Sequence, residues 1–322
     1  VIHGAKILVN EDDLDYQGMG YLPFYLQRLY NSQNPHMGWF GQGWAVQGLE
    51  QRLEILPQQD TIYLIDNSGR KVPFSYLRAG QSCYQPFEDI TLYRLPYPVD
   101  FDQTKLPKPF LMTAQSISAT LLGVDEPLHF VLIQGKTLPS QPDFEGVAQH
   151  FSHVAQRNEK GLSATVLASH QTDKYGHKLQ LHYTHDSQIA FAHLPQYITD
   201  ANGHGYELTF TLIDGQARLS KLSQIHHIDQ PFETLSEYHY STDGDLTAVY
   251  HKGQLVREFA YTQHLMTWQR YLTGLEGNYV YDQTDKPEIA RVIEHTLNTG
   301  QHYRFDYETD DTESDIHYTT VT

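Results

Sequence analysis

The sequence predicts a nearly all-β chain made of successive hairpins, with few or no helices, and three observations carry that prediction. Short runs rich in Tyr, Val, Ile, Thr and Phe alternate with Gly, Asp, Asn and Pro along most of the 322 residues, which is the pattern of strands bounded by turns. One turn signal, Asp-x-x-Gly followed by alternating apolar residues, recurs. Aromatic residues spaced two apart recur at a nearly constant interval.

The strand runs include Gln51 to Leu56, Thr61 to Ile65, Phe130 to Ile133, Lys178 to Tyr183 and Glu207 to Ile213. Helical spacing is confined to Glu145 to Gln156, where Val147, Phe151 and Val154 would share a helix face. Pro96, Pro98, Pro107 and Pro109 mark an irregular connection, and Pro139 and Pro142 mark a second.

The turn signal appears as Asp66 and Gly69 leading to Val72 and Phe74, as Asp173 and Gly176 leading to Leu179, Leu181 and Tyr183, and as Asp200 and Gly203 leading to Tyr206, Leu208 and Phe210. The Asp carboxylate caps a turn and the Gly supplies the positive φ that follows. The residues after it then alternate with the strand period of two. The aromatic pairs are Tyr238 with Tyr240, Phe259 with Tyr261, Tyr279 with Tyr281, and Phe305 with Tyr307. Residues two apart on a strand share a face, so each pair sets two rings side by side. The second ring recurs at 240, 261 and 281, in steps of 21 and 20 residues, the length of two strands and their turns.

Composition narrows the function classes. The formal charge of −17 argues against nucleic acid, whose phosphates are met by Lys and Arg. No apolar run is long enough for a membrane-spanning helix. Cys83 is the single cysteine, so an intrachain disulfide and a cysteine-based zinc site are excluded; a buried structural thiol is expected. The start, Val-Ile-His-Gly-Ala-Lys, lacks both an initiator Met and the apolar core of a signal peptide, and suggests a chain that begins inside a longer polypeptide.

These residues resemble the RHS, or YD-repeat, family, whose repeat reads roughly Tyr-x-Tyr-Asp-x-x-Gly-x-Leu. Tyr238, Tyr240, Gly244 and Leu246 match it, with Ser241 in place of the Asp. Tyr279, Tyr281 and Asp282 match its front half, but Asp285 stands where Gly is expected, and after Phe259 and Tyr261 the Gly is replaced by Leu265. Those turns must be built differently. Gly20-Tyr-Leu-Pro23-Phe24, Gln27 to Ser32, and the Gly38 to Trp44 stretch with Trp39, Gly41 and Gly43 resemble the opening segments of such proteins. The resemblance covers residues 1–80 and 166–322.

The resemblance implies a continuous β-sheet that spirals into a hollow shell, or cocoon, around a C-terminal toxic domain. It divides the chain into an N-terminal region of the shell over 1–165 and a repeat region over 166–322, most simply one continuous sheet. Shells of this kind typically end in an Asp-Pro-x-Gly-Leu-like self-cleavage motif, and the sequence contains no Asp-Pro. The expected role is a non-catalytic wall segment that sequesters a toxin, in interbacterial competition or as an insecticide. Its expected partners are the remaining shell of the same polypeptide, the enclosed toxin and, through a missing N-terminal domain, a secretion spike of the type VI kind. It would be made in the bacterial cytoplasm and then secreted or delivered into a target cell. A secreted or cell-surface β-repeat module that binds glycan or protein is the alternative.

Other constellations give no catalytic, cofactor or metal assignment. The 19 histidines include His150 with His153, His182 with His185 and Asp186, and His226 with His227 and Asp229. None has HExxH spacing or a third ligand at a known interval, and solvated or shell-lining positions are expected. Asp12 with Asp13, and Asp310 with Asp311, suggest solvated turns. No Gly-x-Ser-x-Gly occurs, and no Gly-Lys-Ser/Thr follows the Gly-rich segment. Trp39 and Trp44 are expected as core anchors rather than a sugar platform, and the paired aromatics as packing between hairpins rather than a lining for cargo.

Overall fold

The computed structural model describes residues 1, 4–8, 13–95, 128–136, 144, 146–157, 163–183, 193–225, 233–309 and 317–321. The proline-rich connections, His185, Asp186, His226, His227, Asp229, Asp12, Asp310 and Asp311 lie outside the described residues. The fold class is as the sequence predicts: antiparallel strands throughout, with helical structure among the described residues confined to short turns such as Pro57–Gln59 and Pro287–Ile289. The segment with helical spacing is instead the strand Val147–Arg157. Its β-branched and aromatic residues pair with Ala164–Asp173 over its whole length, and that ladder overrides a three-residue periodicity.

Two regions share this sheet. In the first, the strands Arg52–Leu56, Thr61–Ile65 and Lys71–Ser75 form a meander. Ser82–Gln85, Ile90–Arg94, Phe130–Gln134, Val147–Arg157 and Ala164–Asp173 follow as another. The two meanders join where Ala164 to Leu167 pair with Arg52 to Ile55. Leu53, Ile62, Leu64, Leu92, Phe130, Phe151 and Val166 fill the space between them. Cys83 is half-buried at its margin rather than fully enclosed.

The far half of Ala164–Asp173 carries the next strand, Lys178–Tyr183, at His170 to Thr172. From there the sheet runs strand by neighbouring strand through Pro195–Thr199, Gly205–Ile213, Gln216–Ile225, Glu233–Tyr240, Leu246–His251, Gln254–Thr262, Leu265–Tyr271, Glu276–Tyr281, Val292–Leu297, His302–Thr309 and His317–Val321. Among the described residues this second region is backed by the small sheet of the N-terminal segment rather than by strands of its own. Its inner face is covered by the N-terminal segment, with Phe24, Leu26, Tyr30, Phe40, Trp44 and Val46 buried against Leu208, Leu219, Leu222, Tyr238, Leu246, Val249 and Phe259.

Two local devices repeat. The first is the turn: Asp66, Asp173 and Asp200 each accept two backbone N–H bonds through one carboxylate oxygen. The Gly three residues on donates back to the Asp carbonyl at 3.0, 3.1 and 3.2 Å in turn. The same backbone closure occurs at Ser241 with Gly244, Tyr271 with Gly274 and Leu297 with Gly300. The turn therefore depends on the Gly and its positive φ more than on the Asp. Where the Gly is missing, construction does differ. Gln263 and His264 both adopt positive φ in a two-residue turn, and Asp282 closes a longer loop by accepting from the Arg291 N–H.

The second device joins the tyrosines to β-bulges. An extra residue interrupts the ladder at Ser169, Ser220, Thr267 and Ile293, and a bulge leaves a carbonyl without its ladder partner. The carbonyl just before each extra residue (Ala168, Leu219, Met266, Val292) accepts a bond from the hydroxyl of Tyr183, Tyr240, Tyr281 or Tyr307 on the next strand. In three of the four bulges the extra residue's own hydroxyl also donates across to the facing strand, from Ser169, Ser220 and Thr267 to the carbonyls of His150, Thr209 and Ala260. In three of the repeats the second aromatic, Tyr240, Tyr281 or Tyr307, thus satisfies the bulge of the strand before it, as Tyr183 does.

Candidate functional site: the N-terminal segment locked under the repeat sheet

The strand Tyr25–Asn31 alternates in burial, and its inward parity runs Leu26, Arg28, Tyr30. A cation at an apolar parity must be met by anions. Arg28 is fully buried and donates to both carboxylate oxygens of Asp15 at 2.7 and 3.0 Å, with Asp13 at 3.2 Å. Asp13 also pairs with Arg257 at 3.1 Å, and Arg257 continues to Gln269, whose amide donates to Tyr279. Asp15 accepts from the Tyr238 hydroxyl at 2.9 Å and lies 3.1 Å from His251, while its carbonyl accepts from Ser236. Burial alone would raise the Asp15 carboxyl, but Arg28 and His251 hold it below the usual range. The same burial and the neighbouring Asp15 charge raise the Tyr238 hydroxyl. One network therefore ties residues 13–28 to strands that lie more than two hundred residues away in sequence.

This corrects the reading of Asp13 as a solvated turn residue: it is fully enclosed. Arg28, Asp15 and Arg257 were missed as functional residues, although the parity of Arg28 with Leu26 and of Arg257 with Phe259 is a legible sign of buried charge. Each acid is taken up by a guanidinium, which leaves it no face open to a substrate.

Further along, the Gly38 to Trp44 segment meets the repeats directly. Trp44 is enclosed between Tyr30 and Phe259, and its indole N–H donates to the Tyr261 hydroxyl at 2.9 Å. Trp39 lies edge-on to Phe210, and its carbonyl accepts from the Leu219 N–H. Both tryptophans are core anchors. Gly41 and Gly43 have positive φ; a Cβ on Gly41 would stand 2.7 Å from the Gly244 carbonyl, and one on Gly43 2.7 Å from the Tyr30 ring. The Gly of the opening motif thus lets the segment approach the backbone of the repeat turn, while a Cβ on Gly244 would stand 3.1 Å from the Arg218 guanidinium. Beneath the segment, half-buried Glu50 accepts from the N–H groups of Trp39 and Val46 at 2.8 and 2.7 Å. Burial outweighs those two bonds and pushes its carboxyl up to about 7.

The remaining repeat residues fall into place on the same face. Tyr238, Leu246, Phe259, Tyr279 and Tyr281 are buried, and Asp282 closes its loop at the strand end. Tyr30 accepts from the Met266 N–H, and Gln33 donates to the Ala290 carbonyl.

Spacing also missed a histidine cluster. His150 and His153 part company on their strand: His153 stacks on Tyr183, while His150 is buried with His129 and His170. Neither the solvated nor the shell-lining expectation describes these three. One ring nitrogen from each lies within 4.8 Å of the other two. Histidines drawn from two strands and from the residue ahead of a third leave no spacing motif to find.

With this geometry in view, the comparisons bear on it directly. Residues 1–74, which include the locked segment, match a protein family described as Domain of unknown function (DUF6531). Two toxins then align with nearly the whole chain. The chain is 23% identical over 310 residues to Double-stranded DNA deaminase toxin A of Burkholderia cenocepacia, covering 96% of this chain and 18% of that protein. It is 26% identical over 284 residues to Toxin protein Tse5 of Pseudomonas aeruginosa, covering 87% of this chain and 20% of that protein. The chain thus spans about a fifth of the length of these relatives. Among solved structures, a TcdB2-TccC3-Cdc42 crystal structure aligns with 95% of this chain and 16% of its own at 11% identity and a TM-score of 0.36. No described helix is long and apolar enough to cross a membrane.

Proposed function

We propose that this chain is a wall segment of an RHS-type shell that encloses and sequesters a toxic domain carried elsewhere in the same polypeptide. The observation that carries the reading is the Tyr-to-bulge device: at four bulges along the sheet a carbonyl left by the ladder is satisfied by a tyrosine of the following strand. A sheet built this way is extended strand by strand rather than closed on itself, as the wall of a large container requires. The N-terminal segment, 1–50, would be the cap that gives the first strands of that wall a second layer, within an N-terminal region of 1–165 ahead of the repeats of 166–322. Alignment with two toxins over about a fifth of their length supports the same placement.

In this reading the chain's own work is enclosure, any toxic chemistry belongs to the cargo, and the container is made in the bacterial cytoplasm and delivered outward. Its partners are the rest of the shell, the cargo and a delivery spike. The test is mass spectrometry of the natively purified protein, first intact and then denatured. Co-migration of this chain with a larger shell portion and a small C-terminal fragment, or their presence in one polypeptide, is the expected result. A particle of this chain's mass alone, folded and monomeric, overturns the proposal and leaves a self-sufficient binding module as the better account.

A further inference from the structure

We propose that His129, His150 and His170 form a binding site for a divalent transition-metal ion, Zn²⁺ in the first instance, with one ring nitrogen from each. The site stands apart from the wall reading and rests on the first region alone. His150 and His170 face each other across the ladder, their rings stacked 4.0 Å apart at 15°. His129 directly precedes the strand Phe130–Gln134, with its carbonyl fixed by the Leu95 N–H, and presents its Nε2 to His150 Nδ1 at 3.2 Å. Two nitrogens bound to one tetrahedral zinc at about 2.0–2.1 Å are themselves about 3.3 Å apart, so this pair already has the required separation.

The outer nitrogens are held as a metal site needs. His150 Nε2 is bonded to Thr172 Oγ1 at 2.9 Å and His170 Nδ1 to Ser169 Oγ at 3.0 Å. Such bonds fix ring orientation, and where the hydroxyl accepts the ring N–H the opposite nitrogen is left to ligate. His129 Nδ1 is buried with no hydrogen-bond partner among the described residues. Three imidazoles without a carboxylate suit Zn²⁺, Co²⁺, Ni²⁺ or Cu²⁺ rather than Mg²⁺ or Ca²⁺, and leave a fourth position for water or a small anion. Burial, with Lys178 nearby, keeps all three rings neutral at physiological pH, the state in which they can ligate. The bland account is a neutral hydrogen-bonded stack in which His170 packs on His150; for an ion to be held, one of these near-parallel rings must turn so that the two lone pairs converge.

The discriminating experiment measures the metal content of the protein purified without chelator, then titrates the metal-stripped protein with Co²⁺ and reads its d–d absorption. One equivalent of bound metal and an intense tetrahedral Co²⁺ spectrum are expected. His129→Asn should weaken Co²⁺ binding by at least ~100-fold, and Thr172→Val, which loosens only the His150 ring, by roughly 10–100-fold. Lys178→Gln removes an opposing charge and should tighten binding about fivefold, an effect that a merely structural stack would not give. Substoichiometric metal together with a Co²⁺ affinity indifferent to His129→Asn and Lys178→Gln overturns the proposal. The wild-type measurements stand even if a variant does not fold.

Discussion

The two regions of the sheet bury polar groups in opposite ways. The first, between Arg52 and Asp173, folds its strands over an aliphatic and aromatic core of its own, and the polar cluster on its other face is three neutral histidines. The second, from Pro195 onward, takes its second layer from the N-terminal segment, and what it encloses is a network of paired charges, Asp13, Asp15, Arg28 and Arg257. A sheet that covers itself can rely on apolar contact, which is nondirectional. A sheet that must capture a remote segment gains from directional bonds, which fix where that segment sits; buried ion pairs serve register better than they serve stability.

Acid should separate the two regions most sharply. The folded-state pKa values of His129 and His170 are lowered by burial to about 3 and about 2, and that of His150 lies well below its ordinary value. Their contribution to stability is therefore present above the unfolded value near pH 6.5 and is lost as pH falls toward those folded values. With three protons taken up on unfolding, the slope reaches about 4 kcal/mol per pH unit. In the second region Asp15 is held low, so its contribution survives until the pH drops below the ordinary carboxylate range. Hydrogen exchange at pH 7 and pH 4.5 checks this: amides of Val147–Arg157 and Ala164–Asp173 should lose protection first, before those of Tyr25–Asn31 and Glu233–Tyr240. Loss in the reverse order would refute the contrast.

Next in size is Arg28→Met, which strands the buried Asp15 carboxylate and leaves Asp13 to Arg257 alone. It should cost about 3–5 kcal/mol by chemical denaturation and release the N-terminal segment to proteolysis. Asp15→Asn in the Arg28→Met background should restore part of that loss, since the uncompensated charge at Asp15 is then gone while Asp13 keeps Arg257. Its counterpart in the first region, Leu53→Ala, should cost about 3 kcal/mol through a cavity while leaving residues 13–28 protease-resistant. Equal exposure of the N-terminal segment in both variants would mean that the two regions unfold as one.

What could be read in advance divides along the same line. Strand-by-strand structure was legible because its signals are local: Thr61–Ile65 and Lys178–Tyr183 have the limits that their composition sets, and Asp173 and Gly176 make the turn that their residue types demand. The covered face was half-legible. Trp39 and Trp44 were identifiable as anchors, but that they anchor against Phe210 and Phe259 depends on contacts across more than a hundred residues. The histidine cluster was not legible, because its members come from two strands and from the residue ahead of a third, whose register no local spacing records. The helical reading of Val147, Phe151 and Val154 failed because cross-strand pairing with Ala164–Asp173 outweighed it.

The smallest effect sharpens the comparison within the second region itself. Tyr240→Phe removes only the hydroxyl that meets the Leu219 carbonyl beside the Ser220 bulge, and should cost about 1–2 kcal/mol, the usual penalty for leaving one buried acceptor unsatisfied. Phe at 261 is the informative contrast. Tyr261 accepts from the Trp44 indole, so Tyr261→Phe strands a donor of the N-terminal segment as well. If the tyrosines serve the sheet alone, the two variants should destabilise equally and leave the N-terminal segment equally protected from exchange. If residue 261 also holds the segment in place, Tyr261→Phe alone will raise exchange at Trp44 and Ala45. Each ring of the repeat then does one of two jobs, closing the previous strand's bulge or gripping the segment beneath, and the residue it faces decides which.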